Sequence, residues 1–95
     1  MENSFHDLPG IFSNANEAEL LNQSFRNKLI FAVKHLLESD LEKLVNILYR
    51  IDIEEDKVNR ALASNGTEEA VSGIADLIIQ RQIQKLEIRK KYSGK

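Results

Sequence analysis

Residues 65–92 read NGTEEAVSGIADLIIQRQIQKLEIRKKY, and this stretch decides the fold. It opens on Asn-Gly, a dipeptide typical of turns, and contains no proline afterwards. Acidic residues lie at its start and basic residues at its end, which complements the dipole of a helix. The spacing of the apolar residues predicts a helix from Thr67 to Lys91 or Tyr92, about 36 Å long.

The apolar face of this predicted helix turns partway along its length. Four apolar side chains of the first half share one side of the helix: Val71, Ile74, Ala75 and Ile78. The apolar stripe of the second half lies about 110° around from them and consists of Ile79, Ile83 and Leu86. We therefore expect the first half to pack into the domain and the second stripe to be buried against another element.

The sequence leaves that other element open. The stripe can pack on the first helix of its own chain, on the N-terminal arm, or on a second subunit. In the second half of the helix, the side that the first apolar cluster occupies carries Arg81, Lys85 and Arg89 instead. We therefore expect these bases to be partly solvated and available to an acidic partner. The candidate partner-binding residues are Ile79, Arg81, Ile83, Lys85, Leu86 and Arg89.

Charge is distributed unevenly along the 95 residues. Residues 80–95 hold six bases and one acid, whereas residues 1–79 hold seven bases and 14 acids, within an overall net charge of −2. Dipole compensation accounts only for bases in the last turn, and Arg81 and Lys85 lie earlier. The asymmetry therefore favours a role in docking to a partner.

A long first helix is predicted from Glu17 to Leu37 by apolar residues at three- and four-residue spacing. Its start is marked by a capping-box pair, either Asn14 with Glu17 or Asn16 with Glu19. Its apolar face is wide, which indicates contact with more than one neighbouring element.

Two short helices are predicted between the long ones. The first opens at Ser39, with Glu42 in the matching capping-box position, and stops near residue 50. The second opens at Asp52, with Glu55 three residues later, and ends at Ser64 before Asn-Gly. These patterns predict an all-α domain, a compact bundle of about four helices in which long first and last helices bracket two short ones.

Residues 16–95 are predicted to form this single domain, and residues 1–15 an N-terminal arm. The arm carries four apolar residues around a Pro-Gly turn signal and has no clear period. It either tucks onto the domain, acts as a flexible docking peptide, or is disordered. Seven side chains are predicted to be largely buried: Phe25, Leu29, Leu44, Leu48, Leu62, Ile74 and Ile78.

The sequence lacks the residue patterns that are typical of a catalytic site, a metal site or a cofactor site. It has no cysteine, which excludes disulfides and thiolate chemistry. His6 and His35 have no histidine at metal-ligand spacing. The acidic cluster at residues 52–56 lacks the glycine of a calcium-binding loop, and the four glycines are isolated. We therefore expect a non-enzyme without a cofactor or bound metal.

The longest unbroken apolar run has five residues, so no membrane partner is predicted. The N-terminal residues lack the pattern of a secretion signal, and a cytoplasmic location is expected. We interpret the chain as a small helical protein–protein interaction or self-associating module, in which a second copy is one possible partner. The alternative is weak, sequence-independent nucleic-acid binding by the basic C-terminal segment.

Overall fold

The computed structural model describes residues 8–12 and 15–93, and within these ranges every regular element is an α-helix. The six helices are α1 (Leu8–Phe12), α2 (Glu17–Leu20), α3 (Gln23–Ser39), α4 (Leu41–Arg50), α5 (Glu55–Leu62) and α6 (Thr67–Ser93). The predicted all-α class is confirmed. The structure has six helices where the sequence predicts about four, because the first long helix is divided and a segment of the arm forms α1.

The predicted first helix is interrupted after α2. Its start is correct, because the Asn16 side chain accepts from the Glu19 N–H at 2.8 Å and the Glu19 carboxylate accepts from the Asn16 N–H at 3.0 Å. Asn22 then takes an extended backbone, and its side chain accepts from the Ser24 N–H at 2.7 Å. An asparagine that bonds locally in this way competes with continuous helix. The prediction of one unbroken helix is therefore wrong at Asn22.

The junction of α3 and α4 is capped by Asp40 rather than by the predicted Ser39. Ser39 is still helical, and its hydroxyl donates to the His35 carbonyl at 2.7 Å. The Asp40 carboxylate accepts from the Lys43 N–H at 3.1 Å, and the Asp40 N–H donates to the Leu36 carbonyl at 2.7 Å. One aspartate thus ends α3 and begins α4, where its charge suits the positive end of the helix dipole.

The turn between α4 and α5 is longer than the sequence predicts. Asp52 has φ of 67°, the left-handed region that aspartate tolerates better than most residues, and its N–H donates to the Tyr49 carbonyl at 3.0 Å. Helix α5 begins at Glu55 and ends at Leu62. Asp52 is therefore a turn residue and not the predicted N-cap.

Helices α3 and α6 run antiparallel along the domain. Arg26 forms an ion pair with Asp76 and donates to the Ser72 hydroxyl at 2.8 Å. Lys34, two turns later on α3, borders a surface depression together with Glu68. Later residues of α3 therefore lie beside earlier residues of α6. Helix α2, which precedes α3, lies beside the C-terminal half of α6.

The core lies where α3, α4, α5 and α6 meet, and it matches the predicted set closely. Five of the seven predicted residues are 0% exposed: Leu29, Leu44, Leu48, Ile74 and Ile78. Phe25 and Leu62 are half-buried and pack against the same cluster. Phe12 of α1 is 2% exposed and joins this core. Each fully buried side chain of this size contributes roughly 1.5–3 kcal/mol.

Candidate functional site

The distal half of α6, from residue 79 onward, is supported by α2. Lys90 Nζ lies 3.0 Å from Glu17 Oε1 at the start of α2. Leu20, at the end of α2, is 1% exposed. Helix α5 packs beside the proximal half, where a Cβ built on Gly73 would lie 3.6 Å from the Ala61 Cβ. Its first turn also borders the distal half, because Lys57 lines a depression together with Arg81 and Gln84.

The predicted apolar stripe lies on the side of α6 that faces α2. Ile79, Ile83 and Leu86 are each half-buried. They share one side of the helix with Lys90, because residues three, four and seven positions apart lie on the same face. Lys90 in turn contacts Glu17 of α2. Ile79 packs against the core cluster, and the stripe shares its side of α6 with the Lys90 contact to α2 of the same chain.

The opposite side of distal α6 carries a second row of residues, which we call the open face: Arg81, Gln84, Ile88 and Lys91. Ile88 follows Ile79 by nine positions, a rotation of about 180° around the helix. Its side chain is 49% exposed. The open face borders an open depression of about 670 Å³, and its lining residues within the described part of the chain belong to α6.

Arg81, at one end of the open face, contacts the α4–α5 turn. Its Nε donates to the Ile51 carbonyl at 2.8 Å, and its Nη1 donates to Gln84 Oε1 at 3.0 Å. Its Nη2 lies 3.5 Å from Asp52 Oδ2, and the Arg81 side chain is 24% exposed. The guanidinium therefore holds the turn that contains Asp52 against α6, so this candidate partner-binding residue forms hydrogen bonds and an ion pair within its own chain.

The other two predicted basic residues lie on a third side of α6. Lys85 is half-buried and Arg89 is exposed, four positions further along. Between residues 81 and 91 the helix holds five bases and one acid. Arg81 lies near the Asp52 carboxylate, and Lys90 lies near the Glu17 carboxylate. Lys85, Arg89 and Lys91 add positive charge along the rest of this segment.

Three residues of the open face are absent from the set predicted from the sequence: Gln84, Ile88 and Lys91. The predicted apolar residues share one side of the helix, whereas Ile88 lies on the other side among polar neighbours. The signal was nevertheless present, because Arg81, Gln84, Ile88 and Lys91 recur at intervals of three and four. This spacing identifies a candidate docking face only once the side of α6 that α2 covers is known.

Two further findings concern the part of the chain that the structure describes. In residues 8–12 and 15–93, no group of three or more His, Asp and Glu side chains is placed to hold a metal ion. Over the same ranges, no helix combines the length and the apolar character needed to cross a membrane.

Comparison with protein-family models, with curated proteins and with solved structures finds no match to this chain. The geometry of the distal half of α6 is therefore the basis for assigning a role.

Proposed function

We propose that the chain is a small, non-enzymatic helical module that binds an acidic protein partner through the open face of α6. The observation that carries the proposal is Ile88, which is 49% exposed within a basic helical segment, on the side away from α2. Single exposed apolar residues are normal on protein surfaces. The charge and the uncovered helix around Ile88 therefore support the proposal as much as the exposure does.

The shape of the open face suits a helical partner. The exposed residues of this face run from Gln84 to Lys91, seven residues apart, which corresponds to about 10 Å of helix. Two helices can pack side by side when the side chains of one helix fit into the grooves between side chains of the other. Full burial of Ile88 in such a contact contributes roughly 1.5–3 kcal/mol.

The charge of the segment indicates an acidic partner. Five bases and one acid between residues 81 and 91 favour encounter with a carboxylate-rich surface and disfavour a basic one. The same charges also argue against symmetric pairing of two open faces, because that arrangement would bring the basic segments of both copies together. Attraction between these exposed groups is screened by salt, so binding should weaken as ionic strength rises.

Binding of a designed peptide tests the proposal. The probe is an amphipathic helical peptide of about 15 residues with a leucine stripe and glutamate elsewhere, and the control peptide has lysine in place of every glutamate. Fluorescence anisotropy should show binding of the acidic peptide and much weaker binding of the basic one. Ile88→Glu should weaken binding at least about ten-fold, equivalent to about 1.4 kcal/mol.

The matched control is Phe31→Glu, because Phe31 is 54% exposed on the other long helix, α3. This variant should bind the acidic peptide with nearly unchanged affinity. Equal affinity for the two peptides, or an unchanged affinity in Ile88→Glu, would reject the proposed docking face. A generic RNA oligonucleotide in the same assay tests the alternative role, nucleic-acid binding. RNA binding tighter than peptide binding, with a steep salt dependence, would favour nucleic acid as the partner.

A further inference from the structure

Helix α4 carries a second apolar surface, which we call the α4 stripe: Leu41, Val45 and Tyr49. These residues are four positions apart, so they lie along one side of the helix. Leu41 is 46% and Tyr49 40% exposed, and Val45 is half-buried between them. The core-facing side of α4 is a different one, formed by Leu44, Ile47 and Leu48. The stripe is therefore additional to the residues that hold α4 in the domain.

The surroundings of the α4 stripe are acidic. Residues 38–57 contain seven acids and three bases. Exposed carboxylates are close in sequence to both ends of the stripe, with Glu38 and Glu42 near Leu41, and Glu54 and Glu55 after the turn that follows Tyr49. The net charge of this segment, −4, is equal and opposite to the +4 carried by the five bases and one acid of residues 81–91.

We propose that the α4 stripe of one copy receives the open face of α6 from a second copy of the chain. This inference rests on the proposed function, and it names the acidic surface that the open face recognises. Ile88 would lie against Leu41, Val45 and Tyr49, with Lys91 near the carboxylates that border the stripe. Charge complementarity selects this pairing over symmetric contact between two α6 segments, in which like charges would meet.

The geometry of this contact has a consequence for assembly. The two surfaces differ, so a bound pair still offers one unused stripe, on one copy, and one unused open face, on the other. Association then continues beyond two copies unless a ring closes. Leu41 and Tyr49 are eight positions apart, or about 12 Å, which is short for a stable interface. Association should therefore be weak and visible only at high micromolar concentration.

Mixing two variants, each of which blocks one of the two surfaces, tests the inference. Tyr49→Lys places a base in the α4 stripe, and Ile88→Glu places an acid in the open face. In light scattering at high concentration, the wild-type mass should rise beyond that of a dimer, and each variant alone should remain monomeric. An equimolar mixture should form a dimer and stop there, because each variant keeps the surface that the other lacks.

Circular dichroism checks that both variants fold, and Leu41→Lys replaces Tyr49→Lys if the latter does not. A monomeric wild-type protein would overturn the inference, as would a mixture that stays monomeric while the wild type associates. The peptide experiment separates this failure from failure of the proposed function. Peptide binding at Ile88 without self-association leaves the docking role intact and removes only the second copy as its partner.

Discussion

Replacing Arg81 by glutamine should destabilise the protein, although a role limited to partner binding would leave its stability unchanged. The guanidinium Nε donates to the Ile51 carbonyl at 2.8 Å, and the side chain is 24% exposed. Ile51 ends α4, so the bond occupies a carbonyl for which the helix has no further N–H. Arg81→Gln removes that donor and releases the α4–α5 turn from α6.

The expected loss follows from the two contacts. A hydrogen bond to a charged donor contributes roughly 1.5–3 kcal/mol. The ion pair with Asp52 adds at most about 0.5 kcal/mol, because the Asp52 side chain is 76% exposed and its N–O distance is 3.5 Å. The free energy of unfolding should therefore fall by about 2 kcal/mol. With a urea m-value of about 2 kcal/mol/M, the unfolding midpoint should fall by about 1 M.

Urea unfolding followed by circular dichroism measures this change. The control is Lys85→Gln, which removes a base one turn further along α6 and should shift the free energy of unfolding by no more than about 0.5 kcal/mol. Asp52→Asn should likewise cost little, because the carbonyl of Ile51 is the main acceptor. Equal midpoints for Arg81→Gln and Lys85→Gln would refute the assignment of Arg81 to the turn.

Three further changes test the fold by the same denaturation measurement. Leu29→Ala should cost roughly 2–5 kcal/mol, because Leu29 is 0% exposed in the core; a loss below about 1 kcal/mol would contradict that burial. Asp40→Ala should cost about 1 kcal/mol and Ser39→Ala clearly less, and the opposite order would contradict the cap assignment. Gly73→Ala should stabilise by about 0.5–1 kcal/mol, since the added Cβ would lie 3.6 Å from Ala61; a marked loss would show that α5 and α6 pack more tightly there.

The regular apolar spacing within each half of α6 made this helix predictable from the sequence, although the apolar face turns between the halves. Its observed span, Thr67–Ser93, differs from the predicted one by one or two residues at the C-terminal end. The Asn-Gly dipeptide marks its start and the absence of proline allows its length. The buried residues Leu29, Leu44 and Ile78 were predictable for the same reason, because three- and four-residue spacing defines the side of a helix that faces inward.

Local competition between polar side chains was harder to predict. Ser39 and Asp40 are adjacent, both residue types favour the N-cap position, and only the backbone geometry selects the aspartate. Asn22 interrupts the first long helix through a bond to the Ser24 N–H, a choice that periodicity does not reveal. The prediction for Asp52 is wrong in the same way, because its capping pattern also fits a turn.

The candidate site was predictable as a region but not residue by residue. The distal half of α6 is identifiable from its charge and its turning apolar face. Which side of it the chain covers depends on α2, whose position follows from the Glu17–Lys90 contact between distant parts of the sequence. The contact of Arg81 with Ile51 is likewise tertiary. Neither contact has a signature in sequence spacing.

Chemical-shift mapping tests the central claim, that the open face of α6 is the docking surface. The ¹⁵N-labelled protein is titrated with the acidic amphipathic peptide, and shift changes are followed at every backbone amide. The largest changes should fall at Gln84, Ile88 and Lys91, with little change at Ile83 and Leu86 on the side facing α2. Largest changes at Ile83 and Leu86, or on a helix other than α6, would contradict the claim.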